Sequence, residues 1–232
     1  MNISSNHSII LITGKDSDEF LQGQITNDIS LLSDDNFIES AVCNVQGRVI
    51  AFFMIKKIEN GFLIAILDSL SHKFLSHLEK YSVFFKVKIS FSKSIDKGIK
   101  IINYETWNEY CIENGKAEVS VDLSEKFTPH ELNYHKTNIV NFEKGCFTGQ
   151  EVIARMHYRG KLKFALARFE IESNELLKPS QIILNSSGKK VGQIIIYSNK
   201  MGLISLKNTS NLKNIFFLEE GKEVAFKGLD VI

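Results

Sequence analysis

The sequence predicts an α+β region followed by a small C-terminal antiparallel β-barrel. Two observations carry this. Up to residue 160, β-like apolar runs are interleaved with stretches whose apolar positions repeat at helical spacing. Beyond Gly160, only short β-like runs punctuated by turn residues remain. The boundary falls near residues 160–164, which gives regions 1–160 and 161–232. No internal repeat is evident.

Residues 8–13 form a β-like run that Gly14 ends. Asp16 and Glu19 have capping-box spacing for a helix whose apolar side is Phe20, Leu21 and Ile25. A glycine inside that helix, Gly23, costs about 1 kcal/mol and implies close packing or a passing ligand. Residues 40–43 and 47–56 read as strands joined by the turn Asn44-Val45-Gln46-Gly47, and residues 62–67 as a third strand. Residues 71–81 are helical, with Phe74, Leu75 and Leu78 inward, and residues 83–91 return to alternation. A polar connection over 91–98 leads to a short strand at 99–102. A helix over 107–112 follows, stopped by Asn114-Gly115. Pro129 disfavours helix in the residue before it, so 127–133 reads as a loop. Runs at 164–171, 181–184, 190–197, 202–206 and 223–226 supply the barrel, with turns at 186–188, 199–200 and 220–222.

Composition narrows the function classes. The chain has 232 residues, 44% hydrophobic and 24% charged, as in ordinary globular proteins. A net charge of +1 offers no broad electrostatic case for nucleic acid or membrane binding. Neither a signal peptide nor a membrane-length apolar run is present, so a cytoplasmic protein is expected. The three cysteines, Cys43, Cys111 and Cys146, are odd in number and far apart, which fits a reducing compartment. Without CxxC, HExxH or a Cys/His cluster, no fixed metal site is expected.

Residues 143–155 concentrate the chemistry. Thr148 and Glu151 have the spacing of a capping box, which places Cys146 just before a helix start. Exposed N–H groups and the helix dipole there favour a thiolate, and Lys144 and Arg155 add positive charge. Cys146 and Lys144 are therefore the candidate reactive pair. The thiol's role is open between redox work, transient sulfur or cluster contact, and covalent chemistry. Glu151 and Arg155 are spaced as an i,i+4 ion pair. Cys43 and Cys111 lie in apolar contexts and read as core.

Lys144-Gly145-Cys146-Phe147-Thr148-Gly149-Gln150-Glu151 resembles the K-G-C-[FY]-x-G-Q-E signature of the YgfZ family of folate-binding proteins. These are relatives of the glycine-cleavage T-protein that support iron–sulfur enzymes. The segments Gly14-Lys15-Asp16 and Phe20-Leu21-Gln22-Gly23-Gln24 are similar to the family's N-terminal pattern. Asn44-Val45-Gln46-Gly47-Arg48 looks like the turn of the family's mitochondrial iron–sulfur assembly factor. Lys80-Tyr81-Ser82-Val83, Trp107 and Phe127-Thr128-Pro129 match further landmarks, so the resemblance spans residues 8–165.

The resemblance implies a channel for tetrahydrofolate lined by Trp107, Gln24, Asn44, Arg48, Gln150, Glu151 and Arg155, with Cys146 beside it. It also implies iron–sulfur assembly proteins or client enzymes as partners, and an indirect effect on tRNA modification. The chain departs from the family in two ways. Residues 89–106 form a shortened linker where typical members carry a long insertion. His7 stands where some members have a folate-contacting aromatic. Residues 47–53 lack the acid that aminomethyltransferases use, which argues against one-carbon transfer and for a binding protein rather than an enzyme. A third reading, an RNA-binding module, rests on Arg155, Arg159, Lys161 and Lys163 interleaved with His157, Tyr158 and Phe164.

Overall fold

The computed structural model describes all residues except 34, 93–97, 174, 208–214 and 220. A five-stranded antiparallel sheet organises the N-terminal region. Its strands are β2 (His7–Thr13), β3 (Phe37–Cys43), β4 (Val49–Ile58), β5 (Gly61–Leu67) and β6 (Lys88–Phe91), in the order β3-β4-β5-β2-β6. A separate parallel pair joins β1 (Asn2–Ser4) to β7 (Lys100–Ile102). Helices α1 (Ser17–Gln22), α2 (Asp68–Ser82), α3 (Tyr104–Glu113) and α4 (Gln150–Arg159) complete the region.

Every residue of β4 from Val49 to Ile55 is buried, so both faces of this strand are covered. That explains its continuous apolar run, because a strand covered on both sides has no polar face to alternate with. On one side, Leu70, Phe74 and Leu78 of α2 are buried, and Phe74 meets Phe53 at 5.3 Å.

The C-terminal strands are β8 (Phe164–Ile171), β9 (Ile182–Leu184), β10 (Lys190–Ser198), β11 (Met201–Lys207), β12 (Ile215–Leu218) and β13 (Glu223–Val231). They close into an antiparallel barrel in the order β10-β11-β8-β13-β12-β9. Its interior includes Phe169, Ile194, Ile204, Phe216 and Phe226. Leu166, Ile195, Ile196 and Leu203 turn the other way and belong to the N-terminal core, so the barrel's outer wall is packed on that region.

Several elements differ from the sequence expectation. The first helix ends at Gln22, Gly23 is its C-cap, and Ile25 instead forms an isolated bridge with Val42. Asp16 makes no cap, because its carboxylate accepts the Lys86 backbone N–H at 2.7 Å. The alternation over 83–91 becomes strand only from Lys88, leaving Val83 and Phe84 exposed. Strands β1 and β12 fall in runs that periodicity does not single out. Part of the expected connection over 91–98 and of the turn at 220–222 lies outside the described residues. Among the described residues, no helix is long and apolar enough to cross a membrane.

Candidate functional site

Lys144 shows how the motif loop is built. Its side chain is buried, and its ammonium donates to three backbone carbonyls: Gln22 at 2.7 Å, Ile25 at 2.7 Å and Asn27 at 2.8 Å. An ammonium has three N–H donors, so all are used. Burial pulls the Lys144 pKa down to about 8, with Asp28 acting the other way. The carbonyls belong to the turn that follows α1, so Lys144 pins the motif loop to it. Asn27 extends the link, its amide donating to the Glu39 carbonyl at 2.8 Å and the Asn138 carbonyl at 2.7 Å.

The expected capping box does not form. The N-cap of α4 is Gly149, at φ +84°, and no side chain caps the helix. A Cβ at Gly149 would lie 2.5 Å from the Asn44 carbonyl oxygen, so only glycine lets the helix start approach that turn. Thr148 is bound instead to the preceding turn: its N–H donates to the Gly23 carbonyl at 3.1 Å, and its hydroxyl to Gln24 Oε1 at 3.2 Å. Glu151 and Arg155 are both exposed, and no ion pair joins them among the described residues. Cys146 is exposed, whereas Cys43 and Cys111 are buried and burial pushes both thiols up.

Asn44 and Arg48 hold the neighbouring turn. Asn44 Oδ1 accepts from the N–H groups of Gln46 (3.1 Å) and Arg48 (3.0 Å), and its amide donates to Glu125 at 3.0 Å. Arg48 Nη1 donates to the Lys126 carbonyl at 3.0 Å and to Glu131 at 3.1 Å.

Trp107 is 1% exposed, and its indole N–H donates to Glu118 at 2.8 Å. The other Glu118 oxygen meets His7 Nε2, also at 2.8 Å. The His7 ring stands edge-on to Trp107 at 5.1 Å. His7 thus supports the indole from behind. Trp107 lines a recess of about 210 Å³ together with Phe37, Glu39, Met54 and Tyr110.

Phe37 and Glu39 also line a larger cleft of about 650 Å³, whose walls include Asn27, Lys116, His135, Phe142 and Glu143. Lys116 pairs with Glu39 and donates to the Tyr110 hydroxyl at 2.8 Å. Burial opposes its charge, but these two partners raise its pKa. Of the residues expected to contact folate, only Trp107 lines either of these two spaces, and it lines the recess; Gln24, Asn44, Arg48, Gln150, Glu151 and Arg155 line neither. Sequence reasoning did not single out Glu39 and Lys116, which line this cleft. The available signal was a carboxylate inside an otherwise apolar strand run.

His135 and Phe142 of the cleft wall cluster with His130 and His157. His130 and His135 lie 4.7 Å apart, and Phe142 stacks on His157 at 3.8 Å. His130 is buried, and neither ring nitrogen has a partner. Burial, followed by repulsion from His135 and His157, lowers its pKa to about 4. Among the described residues, no group of three or more His, Cys, Asp or Glu side chains is arranged to hold a metal ion.

No family model matches the chain. An uncharacterized protein of Haemophilus influenzae is 27% identical over 245 residues, covering 89% of this chain and 87% of the relative. The tRNA-modifying protein YgfZ of Buchnera aphidicola from Schizaphis graminum is 25% identical over 286 residues, covering 93% and 90%. That of Aliivibrio fischeri is 25% identical over 213 residues, covering 68% and 67%. The first two alignments are longer than this 232-residue chain, so those relatives carry segments that it lacks. The solved structure of glycine cleavage system aminomethyltransferase T from Bartonella henselae superposes with a TM-score of 0.74. The superposition covers 99% of this chain and 84% of that one, at 12% identity.

Proposed function

Because the chain is a sequence relative of YgfZ proteins and has the fold of an aminomethyltransferase T, we propose that it binds tetrahydrofolate in the cleft between Trp107 and Phe142. The observation that supports this most is the shared wall. Phe37 and Glu39 line both the large cleft and the Trp107 recess. The donor set suits a folate. Glu39 offers a carboxylate to the amino edge of a pterin, Phe37 and Phe142 offer aromatic surface, and Lys116, paired with Glu39, holds that carboxylate in place. Lys144 acts as a positioning residue, through Asn27. Trp107 forms the floor of the recess, not an open stacking face.

In this reading the protein is an accessory factor in the cytoplasm that supports assembly or repair of iron–sulfur enzymes. Its effect on tRNA modification runs through those enzymes. Cys146, exposed on a loop pinned to the cleft's wall, is the group presented to them. Aminomethyl transfer is disfavoured because β4 carries no carboxylate along its length. Tetrahydrofolate titration followed by the emission of the single tryptophan tests the binding. A saturable change in Trp107 emission is expected. An unchanged emission together with a silent calorimetric titration refutes the reading.

A further inference from the structure

A second cleft, of about 370 Å³, opens where the barrel meets the N-terminal region, and it shares no lining residue with the space proposed for folate. Its lining is unusual in charge. Arg48, Lys126 and Lys190 face Glu131 as the one acid, an excess of two positive charges. Lys126 and Lys190 are exposed at the cleft's mouth, where an excess of positive charge attracts anions.

The positive end is built rather than incidental. The Lys190 ammonium donates to Gln193 Oε1 at 2.9 Å. Gln193 is 5% exposed and is itself fixed by donating to the Ser180 carbonyl at 2.9 Å. Burial, then Lys126, lowers the Lys190 pKa, with Glu219 and Glu131 acting the other way. Directly across the β10–β11 ladder from Gln193 stands Ser205. It is 1% exposed, lines the cleft, and its hydroxyl has no partner. Buried hydroxyls are nearly always hydrogen-bonded, so an orphan on a cleft wall marks a place for a water or ligand atom.

Phe127 and Phe164 supply flat apolar surface beside these charges. Phe164 also directly follows the exposed basic segment containing Arg159, Lys161 and Lys163. We propose that this cleft binds a nucleoside phosphate, with the phosphate between Lys190, Arg48 and the Ser205 hydroxyl and the base against the two phenylalanines. Phosphate chemistry fits better than a single carboxylate, because it matches the excess of two charges and accepts several hydrogen bonds at once. The nucleotide is either free or the terminal unit of an RNA strand.

Calorimetry on the intact chain with AMP, inorganic phosphate and a single-stranded decanucleotide RNA tests the proposal. AMP is expected to bind at least tenfold more tightly than phosphate. Lys190→Gln should weaken AMP about tenfold and Ser205→Ala several-fold, with tetrahydrofolate affinity unchanged in both. Circular dichroism confirms that the variants are folded. If Lys190→Gln weakens AMP alone, the ligand is a free nucleotide; if it weakens RNA in parallel, the phosphate is borne by RNA. Absence of AMP binding at millimolar concentration overturns the proposal. So do equal affinities for AMP and phosphate, or AMP affinity unaltered in both variants.

Discussion

His130 should make this protein acid-sensitive in a defined window. Its imidazole is buried beside His135 and His157, and its pKa falls from 6.5 to about 4 on folding. Between those values the unfolded chain binds the proton and the folded one does not, so stability falls as pH falls. The loss is complete once pH drops below about 4 and absent above about 6.5. At 1.36 kcal/mol per unit, the shift costs about 1.4 kcal/mol at pH 5.5 and about 2.6 kcal/mol at pH 4.5. His130→Leu removes the titrating group and two unpartnered nitrogens while roughly conserving volume. Urea denaturation at pH 7.0, 5.5 and 4.5 reads the effect. The variant should match or exceed wild-type stability at pH 7 and lose about 2.4 kcal/mol less on going to pH 4.5. A variant that retains the wild-type pH dependence refutes the reasoning.

Lys144→Met leaves three carbonyls without their ammonium and should cost about 3–5 kcal/mol in urea denaturation, since breaking a buried charged network is among the largest single-residue effects. Gly149→Ala forces a side chain into a left-handed conformation against the Asn44 carbonyl and should cost about 1–3 kcal/mol by the same assay. Cys146→Ser, at an exposed position, should leave stability within about 0.5 kcal/mol of wild type while abolishing rescue of iron–sulfur enzyme activity in a deletion strain. Full rescue would remove the thiol from the account.

The fold was legible wherever one face of an element is dry. The apolar run of residues 8–13, the Asn44–Gly47 turn and the inward row of α2 all follow from local pattern. The motif's chemistry was harder to read, because its side chains act across long sequence separations. Thr148 has a capping partner at the right spacing, yet its hydroxyl goes to Gln24, 124 positions away. Lys144 looks like a surface cation in sequence, but its carbonyl partners lie 117 to 122 positions away. Glu39 and Lys116 meet only because β3 and the chain beyond α3 converge on one cleft. Trp107 was identifiable as a special residue, but Glu118, which fixes its indole, gave no local signal.

The central claim is that tetrahydrofolate occupies the cleft that Glu39 shares with Trp107. Calorimetric titration of the wild type and of Glu39→Gln tests it directly. Saturable binding to the wild type, weakened at least tenfold in the variant, is the predicted result, since a charged acceptor would be replaced by a neutral amide. Equal affinity in the two proteins, or no binding to either, would contradict it.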